Sequence, residues 1–219
     1  MFVILASFPK FLRLTLFDIG STSDHAWFIT RGITSLFAIT EAGDVIEAAN
    51  IGREGVIGLS GITKRNGMAF WAQVQISGEA MQISAKTLHS MLEQESAFCR
   101  LLFEYTHTLS EQIAQTVVCN WFHSTEQRLA RWLLIARDRV SSDSMVLTHD
   151  SMGDLLGVSR SRVTLAAGAL QKKGLIHYMR GHMIVLNRRG LEDAACECYR
   201  AIGRTIGCFL PPEDRSVSD

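Results

Sequence analysis

The chain has 219 residues, of which 47% are hydrophobic and 20% are charged, and its formal net charge is zero. These values are typical of a soluble globular protein with one large or two ordinary domains, and they exclude a disordered chain. No run of about 18 apolar residues is present, so we expect no membrane span and no membrane partner.

The charges are distributed unevenly along the chain. Residues 1–120 contain 8 Lys and Arg against 11 Asp and Glu, whereas residues 121–210 contain 13 against 8. A polyanionic partner is therefore expected to bind the basic C-terminal half.

The cysteines indicate a reducing compartment, so we expect a cytoplasmic protein. There are five at irregular spacing, which does not suit a disulfide framework. Cys196 and Cys198 are closer together than the usual zinc-binding pair, and no second pair follows them. We expect buried or surface thiols rather than metal ligands, and no cofactor.

Residues 1–95 are predicted to form a β-rich domain. The apolar start MFVILASF lacks a basic segment and a cleavage site, which favours a strand over a signal peptide. Further along, the apolar runs HAWFI, SLFAI, DVIEAANI and WAQVQI are separated by segments that contain glycine. This spacing predicts an antiparallel sandwich or barrel.

A helical region begins near Ser84, which is a plausible cap for a short helix. Residues 96–123 contain no Gly or Pro, and they carry a stripe at spacings of three and four that predicts one long helix. The stripe either packs on the chain's own sandwich or pairs with a second copy, and we favour pairing in a homodimer. Its members are Leu102, Tyr105, Leu109, Ile113, Thr116 and Asn120.

Residues 124–200 are predicted to form a second domain, and residues 201–219 a C-terminal tail. Ser124 is placed to cap its first helix, and Thr148 is placed to cap a short helix that ends at Gly157. Gly157 would supply a tight turn, with Val158 on the inside of the corner and Ser159 as the next cap.

The helix after this corner has one apolar and one polar face. Val163, Ala166, Ala167 and Leu170 recur at the spacing of a buried face, and the opposite face is exposed. LIHYMRGHMIVL then predicts a two-stranded wing with its turn at Arg180 and Gly181. Such a helical corner also occurs in proteins that do not bind DNA, but the wing, the basic charge and the long helix favour duplex DNA as the partner. The candidate DNA contacts are Ser159, Arg160, Ser161, Arg162, Thr164, Leu165, Lys173, Arg180 and His182.

These candidates are assigned two roles. Arg160, with Ser161, Thr164 and Leu165 beside it, is expected to contact base edges in the major groove. Arg162, Lys173 and Arg180 are expected to contact phosphates.

The order of these segments resembles the Crp/Fnr family of bacterial transcription regulators. The matching stretches are residues 25–40, 50–62, 124–140 and 147–200, of which the last is the most specific. The resemblance implies an α+β protein with an N-terminal double-stranded β-helix (jelly roll) that resembles a cyclic-nucleotide-binding sensor domain. A long dimerisation helix and a C-terminal winged helix-turn-helix would follow, and a dimer would bind two-fold-related DNA sites. RNA polymerase is a further candidate partner.

The residues that would bind cyclic AMP in this family are replaced. Leu59, after Gly58, stands where family members have a ribose-binding Glu, and Phe70 or Trp71 stands where they have a phosphate-binding Arg. A buried phosphate without a cation is costly, so the effector is expected not to be cyclic AMP bound in the usual way. Glu54, Lys64 and Arg65 could bind a different ligand, but nothing in the sequence positions them, and we favour the interpretation that they are loop charges. The candidate effector pocket consists of Glu54, Gly58, Leu59, Phe70 and Trp71.

Three further departures from the family are visible. No cysteine precedes Cys99, so the N-terminal iron–sulfur cluster of the oxygen-sensing members is not expected. Ser161 and Leu165 replace the Glu and Arg of the usual recognition helix, whereas Arg160 is retained, so a different operator sequence is expected. The segment before the first matched strands also looks short.

Two other classes of function compete with a transcription regulator. An enzyme with cupin-type metal chemistry would need clustered His ligands, but the β region contains only His25. The chain is therefore expected not to be an enzyme. A dimeric sensor or scaffold that has lost DNA binding is the second alternative, and the retained Arg160 and the wing argue against it.

Overall fold

The computed structural model describes residues 14–21, 23–60, 69–207 and 209, together with the backbone of residues 4–7. Lys64 and Arg65, two candidates for binding a different ligand, lie outside these described residues. The described residues of the N-terminal region form six strands, which are β1 (Ile4–Ser7), β2 (Thr15–Phe17), β3 (His25–Ile39), β4 (Val45–Ile51), β5 (Val56–Ile57) and β6 (Trp71–Ser84).

All six strands form one antiparallel sheet. Its central order is β1-β6-β3-β4, while β2 also pairs with β6 and β5 with β3. The prediction that glycines separate shorter strands is wrong at Gly32 and Gly78, which lie inside β3 and β6. The register shifts between Ile29 and Thr34, and Gly32 has a φ of 88°. A Cβ on Gly32 would lie 2.5 Å from the carbonyl oxygen of Ile76. Glycine therefore allows a bulge in a continuous strand rather than ending it.

Three helices follow the sheet, namely α1 (Ala85–Gln94), α2 (Ser96–Phe122) and α3 (Thr125–Val140). Two predicted caps are confirmed. Ser84 accepts a hydrogen bond from the backbone N–H of Thr87, and Ser124 forms a capping box with Gln127. The long helix spans almost the whole predicted segment.

The described residues after α3 form the predicted winged helix-turn-helix domain. Its elements are β7 (Ser144–Val146), α4 (His149–Leu156), α5 (Arg160–Lys172), β8 (Ile176–Met179), β9 (His182–Val185), α6 (Arg188–Ala194) and α7 (Cys198–Gly207). Residues 201–207 belong to α7 and are not part of a tail. The buried side chains of Ile202 and Ile206 hold this helix in the C-terminal core. No helix among the described residues is long and apolar enough to span a membrane.

A single apolar core joins the sheet to the C-terminal helices. Ile33 and Phe37 of β3 pack in the same cluster as Trp132 and Leu133 of α3. The helix-turn-helix also contacts the sheet directly at Gly157. A Cβ added to this glycine would lie only 2.6 Å from the Cδ1 atom of Ile46 in β4, so the two elements are closely packed there. The two regions are therefore packed against each other and not joined only by the chain.

Candidate nucleic-acid interface

The helix-turn-helix corner has the predicted geometry, with one exception. Thr148 forms a capping box with Ser151 at the start of α4, and Gly157 ends this helix with a φ of 59°. Val158 is half-buried against the core at the inside of the corner. Ser159 occupies the cap position of α5, but its hydroxyl contacts Ser161 Oγ at 3.0 Å and does not cap the backbone. The first N–H groups of α5 are therefore left without a side-chain cap.

Helix α5 is buried on one face and exposed on the other, as the spacing predicts. Val163, Ala166, Ala167 and Leu170 are buried. Ser161, Arg162, Thr164 and Leu165 are exposed, and Leu165 keeps 75% of its surface accessible. An isolated leucine with this exposure, between cationic and hydroxyl side chains, would suit contact with a thymine methyl group.

A network that the sequence did not reveal fixes the start of α5. Arg160 Nη1 lies 3.1 Å from Asp150 Oδ2 of α4, and both side chains are mostly exposed. His149 of α4 contacts two other elements. Its Nδ1 lies 3.0 Å from Thr164 Oγ1 of α5, and its ring stacks on that of Tyr178 of β8, with 4.5 Å between the ring centroids. Burial and then the charge of Arg160 lower the pKa of His149, which favours the neutral ring. Residues ten or more positions apart form these contacts, so helical spacing alone could not predict them.

The wing also has the predicted geometry. Arg180 and Gly181 have φ values of 49° and 83°, which are the two positive values of a tight type I′ hairpin turn. Arg180 and His182 are exposed, and β7 adds a third strand beside β9. Lys173 is less available for DNA, because its Nζ lies 2.5 Å from Glu126 Oε1.

Comparison with known proteins identifies a domain in this part of the chain. The family model of the Crp-like helix-turn-helix domain matches residues 127–194. These residues are a Crp-like helix-turn-helix domain. The resemblance to the Crp/Fnr family is confirmed, and the domain is a DNA-binding one of the kind used in transcription regulation. No curated protein matches the chain by sequence.

Solved structures show that the rest of the chain has the Crp/Fnr fold as well. FixK2 from Bradyrhizobium japonicum is similar with a TM-score of 0.74 and 16% identity, over 90% of this chain and 98% of that one. A CRP-family regulator from Thermus thermophilus has a TM-score of 0.71 and 14% identity, over 84% and 94%. The c-di-GMP-responsive regulator CLP from Xanthomonas campestris has a TM-score of 0.66 and 15% identity, over 84% and 93%. The predicted fold class is confirmed.

The stripe predicted to pair two copies of α2 faces the chain's own sheet instead. Tyr105 is buried and donates a hydrogen bond to the carbonyl oxygen of Val56 at 3.0 Å, and Thr116 is buried as well. Leu102 and Leu109 pack on clusters that are centred on the sheet. The structure therefore contradicts the assignment of Tyr105 and Thr116 to pairing, because both are buried within one chain. The other two members, Ile113 and Asn120, are half-buried.

A different face of α2 is exposed, and we call it the α2 seam. Its large apolar members are Phe103, Val117 and Trp121, which are 75%, 65% and 82% accessible. With His107, Ser110 and Ala114 between them, their spacing follows the alternation of three and four that two-stranded coiled coils use. The complete seam is Phe103, His107, Ser110, Ala114, Val117 and Trp121.

Four of the five described residues of the candidate effector pocket are used for packing and for turns in the backbone. Leu59 packs beside Leu88 and Tyr105, Phe70 packs on the sheet core, and Trp71 lies 5.0 Å from Phe37 between ring centroids. Gly58 is buried in a turn with a φ of 87°.

The fifth residue, Glu54, lines an apolar cavity of about 370 Å³ between the sheet and α2. Its carboxylate lies 2.5 Å from Arg139 Nη2, and both side chains are almost inaccessible. The cavity would therefore not offer a free charged group at Glu54.

One group of potential metal ligands was missed. Cys196 and Cys198 lie beside a second pair that precedes them in sequence, Cys119 of α2 and His123 directly after it. The four ligand atoms all lie within 4.8 Å of one another. The signal in the sequence was a Cys and a His four residues apart at the end of the predicted helix 96–123, where helical spacing would place both on the same face.

Proposed function

We propose that this chain is a transcription regulator that binds two-fold-related sites in duplex DNA as a homodimer. The observation that carries the proposal is the exposed face of α5. This face lies opposite the buried face of α5. Its exposed side chains are Arg160, Ser161, Arg162, Thr164 and Leu165. A helix of this kind can insert its first turns into the major groove, where Arg forks onto guanine and hydroxyls contact bases or phosphates.

The cations around α5 support the same orientation on DNA. Among the described residues, Arg162 and Arg180 have no ion-pair partner, so binding a phosphate would break no existing pair. Arg160 must leave Asp150, but this exposed pair contributes on the order of 1 kcal/mol or less. A guanine edge can replace Asp150 as the acceptor for Arg160.

The homodimer is proposed to form through the α2 seam. Trp121 and Val117 are large apolar side chains that water would otherwise surround, and burying each against a partner stabilises association. Ser110 and Ala114 lie between Phe103 and Val117 and would allow two helices to approach closely. Pairing along a two-fold axis would present two α5 helices to successive major grooves.

The effector is proposed to be something other than a cyclic nucleotide bound in the usual way. The cavity beside α2 is lined mainly by apolar groups such as Phe28, Val56 and Leu102, and its one carboxylate, Glu54, is held by Arg139. A cytoplasmic location, contact with RNA polymerase and the absence of enzymatic activity stay predictions.

The test is selection of duplexes from a random pool by the purified full-length protein, followed by affinity measurements at several salt concentrations. We expect enrichment of a two-fold-symmetric sequence, and an affinity that falls steeply with salt because phosphate contacts release counterions. Enrichment of a single half-site would contradict the dimer. Binding without any enrichment, repeated in the presence of cell extract, would instead favour a sensor or scaffold that has lost sequence-specific DNA binding.

A further inference from the structure

Cys119, His123, Cys196 and Cys198 form a compact group where the long helix meets the Crp-like domain. Cys119 lies in the last turn of α2, and His123 immediately follows that helix. Cys196 lies between α6 and α7, and Cys198 is the first residue of α7. We propose that these four side chains bind one Zn²⁺ ion as a Cys3His site. This inference is independent of the proposed DNA contacts.

The distances within the group fit a tetrahedral zinc site. With Zn–S bonds of about 2.3 Å and Zn–N bonds of about 2.0–2.1 Å, a tetrahedron has sulfur–sulfur edges of about 3.8 Å and sulfur–nitrogen edges of about 3.6 Å. Cys119 Sγ and Cys196 Sγ lie 3.4 Å apart, and Cys198 Sγ lies 3.6 Å from His123 Nδ1. These two distances are within a few tenths of an ångström of the ideal edges, and the other ligand atoms lie at most 4.8 Å apart, so movements of up to about 1 Å would complete the site. The sulfur–sulfur distance is far too long for a disulfide bond of about 2.0 Å.

The surroundings of His123 suit a metal ligand. Its Nδ1 faces the sulfur atoms, while its Nε2 lies 3.2 Å from Glu197 Oε2 on the outer side. A carboxylate on the second ring nitrogen fixes the tautomer and the orientation of a ligating histidine. The His123 side chain is 12% accessible, whereas Glu197 is 77% accessible. The group is thus closed on the ligand side and open only behind the histidine.

One buried cation acts on the thiols of the group. The charge of Arg131 acts on both Cys119 and Cys196. Arg131 is itself buried at 3% accessibility. Three thiolates and one neutral imidazole around Zn²⁺ carry a net charge of −1, which Arg131 would offset. Gln115 Nε2 lies 3.0 Å from Cys198 Sγ and can donate a hydrogen bond to a thiolate there.

The position of the group assigns a structural role to the metal. The site would join the end of α2, beside Trp121 of the α2 seam, to the helix pair that closes the Crp-like domain. Zinc bound by buried thiolates with no open coordination position is typical of structural rather than catalytic sites. Because binding energy at such sites contributes to folding, removal of the metal should loosen the attachment of the DNA-binding domain to α2.

The experiment is metal analysis of the full-length protein, purified under reducing conditions, with four matched variants. We expect about one zinc per chain. Cys198→Ser should abolish binding, His123→Cys should retain it because the thiolate is also a ligand, and Cys99→Ser should leave it unchanged because Cys99 is exposed and outside the group. Glu197→Gln lies on the surface and should fold, yet it should weaken zinc affinity by about 10- to 100-fold in a chelator competition.

Uptake of Co²⁺ by the metal-free protein provides a second readout, because tetrahedral thiolate coordination gives intense visible absorption. Absence of both bound zinc and a Co²⁺ signal in the reduced wild-type protein would overturn the proposal. Full zinc content in Cys198→Ser, or an unchanged zinc affinity in Glu197→Gln, would also contradict it. Iron in place of zinc would overturn the choice of metal.

Discussion

Trp132 of α3 donates its indole N–H to the buried carboxylate of Glu47 on β4, at 3.0 Å from Oε1 and 3.1 Å from Oε2. Ser35 and Asn50 donate to the same carboxylate from the sheet. A buried carboxylate needs such donors, and here one of them comes from the Crp-like domain. The contact therefore links the position of the sheet to that of the DNA-binding domain, and it is a candidate route by which an effector could influence DNA binding.

Glu47→Gln should change the pH dependence of stability. Burial raises the pKa of Glu47, although Ser35, Trp132 and two arginines oppose it. A raised native pKa means that this carboxyl stabilises the fold fully below its unfolded pKa, and that the contribution is lost as pH rises through its native pKa. The free energy of unfolding of the variant, relative to wild type, should therefore increase with pH above about 4.5, by at most about 1.4 kcal/mol per pH unit.

Urea unfolding of both proteins between pH 4 and pH 8 would measure this difference. Glu41→Gln in the exposed turn between β3 and β4 removes the same charge and serves as the control. A difference between Glu47→Gln and wild type that stays constant over the whole range would rule out titration of Glu47 as its cause.

Arg160→Ala should relax the sequence preference of DNA binding. We expect discrimination between the selected site and a site with one altered base pair to fall by about 1–3 kcal/mol at the contacted position. Stability should hardly change, since the pair with Asp150 is exposed. Affinities for a panel of single-base variants of the site would measure this, with Arg100→Ala on the exposed start of α2 as the control. An unchanged ranking of the panel would remove Arg160 from the list of base contacts.

Arg180→Asn should weaken binding to all sequences by a similar factor. Asparagine tolerates the positive φ of 49° at this position and suits the turn before Gly181, so the wing should keep its shape while losing one charge. The slope of log affinity against log salt should decrease in magnitude by about one. Affinity titrations at four salt concentrations on specific and random duplexes would test this. A selective loss for one sequence would instead indicate base contact by the wing.

Val117→Glu should convert the proposed dimer to a monomer. The substitution would bury two like charges near each other across a two-fold axis, which costs several kcal/mol. Ala97→Glu places the same charge on the exposed first turn of α2, outside the seam, and should leave the dimer intact. Sedimentation velocity at several concentrations would distinguish the two species. Dimers of Val117→Glu as tight as those of wild type would show that copies associate through another face.

The sequence predicted most of the local structure because the signals for it are local. Caps at Ser84, Ser124 and Thr148, the corner at Gly157 and the wing turn at Arg180 depend on residues within a few positions of each other. The burial of one face of α5 followed from helical spacing for the same reason.

The choice between the two possible roles of the α2 stripe could not be made in this way. Helical spacing identifies an apolar face but does not say which neighbour covers it. The sheet supplied that neighbour through Val56 and Asn50, and it left the face with Val117 and Trp121 exposed.

By itself, the sequence determined the order of elements, the DNA-binding corner and the side chains on its exposed face, because periodicity and capping act over single turns. Only the tertiary structure decided which face of α2 stays open, how Glu47 meets Trp132, and that Cys119 and His123 lie beside Cys196 and Cys198. These relationships join residues 49 or more positions apart. They depend on how the sheet and the helices pack around a shared core, and no local pattern contains that information.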